Sequence, residues 1–168
     1  MKIKFTNYDD GVHHFEFLKD IDDLELDNRF FGKLKVKCKL DKSHRQMIID
    51  CDVSFNANLT CDRCITEFKR SYSEHFQNIY FIVYESGEAS TDSSGIHYLT
   101  PKDDKIDLSE DVTEILKLSL PMKILCSDEC EGLCPVCGKD LNKSECDCNT
   151  EVENPVWEKL KKLKSNLN

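Results

Sequence analysis

Eight of the ten cysteines fall in four close pairs: Cys61/Cys64, Cys126/Cys130, Cys134/Cys137 and Cys146/Cys148. Close thiol pairs serve two chemistries, metal ligation and dithiol exchange. The strongest signal for metal is Cys134-Pro135-Val136-Cys137-Gly138. This is the pattern of a zinc knuckle, in which a two-residue spacing lets both sulfurs face one tetrahedral ion ~2.3 Å away. Glycine after the second cysteine suits a turn that needs positive φ. Backbone N–H groups in such a turn donate to the sulfurs and hold their charge.

Kept intact, the pairs combine into two four-cysteine sites in three ways. The preferred arrangement joins Cys134/Cys137 with Cys146/Cys148, and Cys61/Cys64 with Cys126/Cys130, giving two zinc ions. The first of these sites closes only a short loop, which costs little chain entropy. A C-x-C pair is less usual as a joint donor, which leaves room for one of Cys146 and Cys148 to be a bystander. Four thiolates around zinc leave no open position for water or substrate, which argues against metal-assisted hydrolysis.

Redox exchange is the competing chemistry. Cys61-Asp62-Arg63-Cys64 has thioredoxin-like spacing, but that motif opens a helix after a strand. Here it lies between two β-rich runs, a context that suits a knuckle better. The remaining cysteines, Cys38 and Cys51, fall on the inward face of an expected hairpin and read as small buried apolar residues. His13, His14, His44, His75 and His97 make no metal spacing with one another. No phosphate-binding glycine loop, nucleophile elbow or paired-carboxylate motif is present.

The elements that must carry the cysteines are legible in part. Lys33 to Leu40 alternates polar and apolar residues, the period of a half-buried strand. Met47 to Leu59 alternates too, with Ile49, Cys51, Val53, Phe55, Ala57 and Leu59 on one face. A polar link, Asp41 to Gln46, predicts an antiparallel hairpin. With Leu40 opposite Met47, Lys37 faces Asp50, Lys35 faces Asp52, and Cys38 faces Ile49. Residues 68–84 form a further β-rich run whose alternation slips near Asn78, predicting a bulge or break. Lys2 to Phe5, His14 to Leu18 and Ile96 to Leu99 read as short strands. Asp20 to Asp27 reads as a loop or helical turn, and Glu85 to Gly95 as a flexible loop. Asp107 with Glu110 has capping-box spacing, and Leu108, Val112, Ile115 and Leu116 form a helical stripe ended by Pro121. Asn154-Pro155 opens a last helix, in which Trp157 packs on the body and Lys159, Lys161, Lys162 and Lys164 cover the outer side.

The fold class is therefore α+β: an antiparallel β-rich body with one or two packed helices and a small cysteine-rich zinc segment. The organisation runs as a body over 1–122, with its helix near 108–119, a zinc segment over 123–150 and a Lys-rich helix over 151–168. A net charge of −9 excludes a protein basic all over, as those that coat nucleic acid are. Eight thiolates and two zinc ions would take it to about −13. No apolar leader and no run of ~20 apolar residues is present, so the expected location is the cytoplasm. In that reducing setting none of the cysteines is expected to form a disulfide.

Several blocks together resemble one family. Leu59-Thr60-Cys61-Asp62-Arg63-Cys64 follows a long strand, and Ile106-Asp107-Leu108 opens the helix. Then come Leu120-Pro121, Cys126-Ser127-Asp128-Glu129-Cys130, Gly132-Leu133-Cys134-Pro135-Val136-Cys137-Gly138, Leu141-Asn142, Cys146-Asp147-Cys148 and Asn154-Pro155. In order and approximate spacing, from about Lys33 onward, they resemble the YceD family, the large ribosomal RNA subunit accumulation proteins of bacteria and chloroplasts. The resemblance implies a role in large-subunit ribosomal RNA synthesis, processing or stability, without established catalytic activity.

The leading functional expectation is a non-catalytic, zinc-binding ribosome-biogenesis factor. Its partners would be ribosomal RNA or a ribosomal or assembly protein, with no membrane and no small-molecule substrate. The alternatives are a protein-interaction adaptor for a basic partner without RNA contact, and a thiol or zinc redox sensor. Two lysine sets are candidates for RNA contact. One is the strand row Lys33, Lys35, Lys37 and Lys39, where Asp50 and Asp52 are expected to neutralise Lys37 and Lys35. The other is the C-terminal set beginning at Lys159.

Overall fold

The alternation in residues 33–40 and 47–59 builds the centre of the molecule. A computed structural model describes residues 1–24, 26–83, 91–92 and 95–148. The expected helix from Asn154, with Trp157 and its lysines, and most of the expected loop Glu85 to Gly95 lie outside the described residues. The chain divides into two compact units. The first comprises Met1–Leu59 and Glu67–Ile124, and the second comprises Thr60–Thr66 and the described residues from Leu125 on.

In the first unit the strands are β1 (Lys2–Ile3), β2 (Gly11–Asp20), β3 (Phe30–Lys42), β4 (Gln46–Thr60), β5 (Glu67–Ile82), β6 (Thr91–Asp92), β7 (Ile96–Leu99) and β8 (Ile106–Asp107), followed by helix α1 (Ser109–Leu118). A 3-10 turn spans Ile21–Leu24, within the segment read as a loop or helical turn. The main sheet has the order β2-β3-β4-β5-β7-β6, and β1 pairs with β8 in a second, two-stranded sheet. The pairs β2–β3, β3–β4 and β6–β7 are antiparallel, whereas β5–β7 is parallel.

One face of the main sheet carries the core. Leu34, Val36, Cys38 and Leu40 on β3, and Met47, Ile49, Cys51, Val53, Phe55, Ala57 and Leu59 on β4, are buried. The apolar stripe of α1, Leu108, Val112 and Leu116, belongs to the same cluster. Period-2 alternation thus places every predicted inward residue of the hairpin correctly. Among the described residues no helix is long and apolar enough to cross a membrane.

The register differs from the expected one by two residues. The Ser43 N–H donates to the Gln46 carbonyl at 2.8 Å, closing a tight reversal. Asp41 and Lys42 therefore stay in β3, and Lys42 lies opposite Met47. A shift of two keeps every side chain on its face but changes its partner. Lys37 faces Asp52, Lys39 faces Asp50, and Cys38 faces Cys51. The expected neutralisation of the lysine row also fails. Asp52 lies 3.1 Å from His75 Nδ1, and Asp50 accepts from Gln77 Nε2 at 2.7 Å, so both carboxylates turn toward β5. Lys35 instead pairs with Glu16 on β2 at 2.8 Å.

The same register corrects the reading of the two hairpin cysteines. Cys38 and Cys51 are joined by a disulfide, with S–S at 2.00 Å and Cα atoms 4.2 Å apart. That Cα separation marks a non-hydrogen-bonded cross-strand pair, the arrangement that brings side chains closest. The expectation of two unlinked apolar thiols, drawn from their inward positions and a reducing compartment, is thus corrected; the expected register also set Cys38 opposite Ile49, where the pair would not meet.

Two smaller expectations also change. β5 runs through Asn78, which points inward at 6% exposure and donates from Nδ2 to the Tyr80 hydroxyl at 3.4 Å. A partnered buried amide fits the inward row, so the apparent slip in alternation is not a break. At α1 the first intrahelical bond runs from Val112 N–H to the Leu108 carbonyl. Asp107 accepts from the Ser109 N–H at 3.1 Å, so it caps the entrance locally while the helix starts after Leu108.

Candidate metal centre

The second unit gathers all eight paired cysteines. It is built on two turns of the same construction. In the first, the Cys61 N–H donates to the Thr66 carbonyl at 3.0 Å and the Ile65 N–H to the Cys61 carbonyl at 2.9 Å. In the second, the Cys134 N–H donates to Lys139 at 2.8 Å and the Gly138 N–H to Cys134 at 2.9 Å. The Cys61-x-x-Cys64 pair is therefore a knuckle between β4 and β5, with no helix following it. That is the wrong setting for a thioredoxin-type dithiol.

The residue after each knuckle adopts positive φ, 73° at Gly138 and 61° at Ile65. Glycine accepts this freely, whereas a β-branched residue is strained there. The sequence signalled the turn at Gly138 and gave no such signal at Ile65. Superposing the two C-x-x-C motifs would have found it.

The cysteine sulfurs meet in two groups, Cys61/Cys64/Cys126/Cys130 and Cys134/Cys137/Cys146/Cys148, each with all four sulfurs within 4.8 Å of one another. In the first group Cys61 Sγ lies 3.7 Å from Cys130 Sγ, and Cys64 Sγ lies 3.6 Å from Cys126 Sγ. A tetrahedron of sulfurs 2.3 Å from a central ion has edges of about 3.8 Å. The spacing is far beyond a disulfide bond and close to that edge, so the donor set fits a tetrahedral metal ion.

Polar groups around the sulfurs support their ionisation. Burial opposes charge on Cys61, but N–H groups of Cys64, Cys126 and Arg63 hold its thiol down at about 6. Backbone N–H groups of Cys137 and Val136 bring Cys134 to about 6 against the effect of burial. The neighbouring Cys130 thiol pushes Cys126 up to about 12, and Cys137 does the same to Cys148. Four thiolates this close cannot all ionise without a cation among them, and a divalent ion reverses the penalty.

The segment between the two groups is short and crossed by hydrogen bonds. Arg63 Nη1 donates to the Cys130 carbonyl at 2.7 Å, and the Leu133 N–H donates to the Arg63 carbonyl at 3.2 Å. Gly132 has φ 81°, and a Cβ there would stand 3.1 Å from the Arg63 carbonyl oxygen. Leu133 forms an isolated antiparallel bridge with Asp140. Asn142 donates from Nδ2 to Cys130 Sγ at 3.5 Å and accepts from the Glu131 N–H at 2.8 Å. Sequence reading assigned no role to Arg63 or Asn142, because a surface-type polar residue carries no spacing signal of its own.

Comparison with known proteins completes the description of the site. The family described as "Large ribosomal RNA subunit accumulation protein YceD" matches residues 49–164. The chain is 30% identical over 156 residues to the uncharacterized protein YlbN of Bacillus subtilis, covering 89% of this chain and 87% of that one. It is 29% identical over 70 residues to the "Large ribosomal RNA subunit accumulation protein YCED homolog 1, chloroplastic" of Arabidopsis thaliana, covering 42% of this chain and 22% of that one. An uncharacterized protein of Mycobacterium tuberculosis is 27% identical over 100 residues, covering 60% of this chain and 47% of that one. The chain thus spans less than half the length of the chloroplast and mycobacterial relatives. No solved structure matches it. A match over residues 49–164 takes in both knuckles and all eight clustered cysteines, and on that match the chain belongs to the YceD family.

Proposed function

We propose that this protein is a non-catalytic factor that supports accumulation of large-subunit ribosomal RNA and is folded in part by two zinc ions. The observation that carries the reading is the pair of closed four-sulfur groups lying within the family match. Zinc suits a tetrahedral all-thiolate set, and such a site is saturated by protein ligands, so it shapes a surface and offers no reaction centre. Cys61, Cys64, Cys126 and Cys130 hold one ion. Cys134, Cys137, Cys146 and Cys148 hold the other. The partner is ribosomal RNA or a ribosomal or assembly protein. The test is depletion of the protein in its own cells, followed by measurement of the ratio of large- to small-subunit ribosomal RNA. The ratio should fall and recover with the wild-type chain. An unchanged ratio would overturn the reading.

A second reading, an adaptor for a basic protein, is favoured by one observation in the first unit. A cavity of about 380 Å³ is lined by Asp103, Lys105, Glu110, Asp111 and Glu114 beside Tyr80. Glu110, Asp111 and Glu114 have no ion-pair partner among the described residues. Uncompensated carboxylates around a concave surface suit a lysine or arginine side chain of a partner. Replacing Glu110 and Glu114 with Gln should weaken binding of a basic ribosomal protein and leave RNA binding unchanged. The reverse outcome removes this reading.

A further inference from the structure

We propose that the two metal sites load as a coupled pair, with Asn142 as the positioning residue that links them. The proposal rests on the zinc reading above and goes beyond it by stating how the sites depend on each other.

The first observation is the chain itself. Cys130 belongs to one sulfur group and Cys134 to the other, with only Glu131, Gly132 and Leu133 between them. Metal at either end therefore restricts the segment that presents a ligand to the other. The second is the packing of that segment. Leu133 is bonded to Arg63 in the first knuckle and bridged to Asp140 in the loop that closes the second site. The Leu141 N–H donates to the Gly132 carbonyl at 3.0 Å. A Cβ at Gly132 would stand 3.1 Å from the Arg63 carbonyl oxygen, a tight contact, so the two backbones lie against each other.

The third observation singles out Asn142. It lies between Cys137 and Cys146, so the loop that carries it is drawn into shape when the second site closes. Its amide nonetheless serves the first site, donating to Cys130 Sγ at 3.5 Å. Its other atom accepts from the Glu131 N–H at 2.8 Å. Asp140 orients the amide by accepting from Nδ2 at 2.8 Å and from the Asn142 N–H at 3.1 Å. A donor to a ligand sulfur stabilises the thiolate, so closing the second site strengthens the first. Linkage requires the converse to the same degree.

Native mass spectrometry of the full-length, metal-stripped, reduced chain given one equivalent of zinc tests this. Independent equal sites would put about half the chains in the one-zinc form, and coupling of about 5- to 150-fold lowers that form to between roughly a third and a tenth of the chains. Asn142→Ala should bind two zinc ions at saturation yet restore the one-zinc form. In Cys134→Ser/Cys137→Ser, zinc at the first site should bind about fivefold or more weaker than in the wild type, by chelator competition. A statistical one-zinc population in the wild type overturns the coupling and leaves the zinc reading intact. Paired loading that survives Asn142→Ala overturns the role given to Asn142. No zinc bound at any concentration overturns both the coupling and the zinc reading.

Discussion

Ile65 and Gly138 occupy the same place in two knuckles. Each follows the second cysteine of a C-x-x-C pair, and each donates its N–H to the carbonyl of the first cysteine at 2.9 Å. Both have positive φ, yet only one is glycine. The left-handed conformation costs a non-glycine residue roughly 1–2 kcal/mol, partly offset by the greater chain entropy that glycine loses. Ile65 is also 67% exposed, so burial of its own side chain does not balance the cost.

The first prediction follows from that difference. Gly138→Ile should weaken zinc at the second site by roughly tenfold, while Ile65→Gly should leave the first site at least as tight. Competition with a coloured chelator measures both. Equal affinity for Gly138→Ile and the wild type would show that the two turns are not equivalent.

A second prediction concerns Cys38 and Cys51. Alkylation of the unfolded, metal-free, unreduced chain should label eight cysteines and leave two unlabelled, with the unlabelled pair in one cross-linked peptide. The crosslink closes a loop of 13 residues. Cys38→Ala/Cys51→Ala should therefore lower the stability of the first unit by about 2–3 kcal/mol in denaturant unfolding. Ten labelled cysteines would contradict the crosslink.

Metal removal supplies the third. Among the described residues of the second unit the buried apolar side chains are cysteines, whereas the first unit is held by the cluster around Val36, Ile49, Val53 and Leu116. Cys134→Ser should expose residues 126–148 to protease and leave the strands of the first unit protected, because metal binding is the folding energy of such a segment. An unchanged cleavage pattern over 126–148 would count against it.

The lysine row gives the fourth. Asp50 and Asp52 turn toward His75 and Gln77, and Lys33, Lys37 and Lys39 have no ion-pair partner among the described residues. If this row follows an RNA backbone, replacing the three with Gln should weaken RNA binding and reduce the salt slope by roughly 2. The same change at Lys159, Lys161, Lys162 and Lys164 tests the C-terminal set. Retained affinity and slope in the strand variant would make the row a solvated face.

The sequence and the fold agree where a single period decides the outcome. Alternation alone put Val36, Leu40, Ile49, Val53 and Phe55 inside, because side-chain direction in a strand depends only on parity. Register depends on where the turn closes, and the Ser43–Gln46 reversal lies in a polar stretch with several equivalent ways to fold. The crosslink between Cys38 and Cys51 was hidden by that register and by the expectation that a reducing compartment leaves every thiol free. In the site, the cysteine pairs were legible because ligand spacing is local. Their grouping rested on loop length, and Arg63 and Asn142 act through contacts that arise only after the chain has folded.

The most direct test of the central claim is the metal content of the protein as isolated from its own cells, read by native mass spectrometry with elemental analysis. The account predicts two zinc ions per chain at saturation. It further predicts one after Cys61→Ser/Cys64→Ser and one after Cys134→Ser/Cys137→Ser, each remaining ion held less tightly. A chain that carries no zinc, or one zinc that either double variant abolishes, would contradict it.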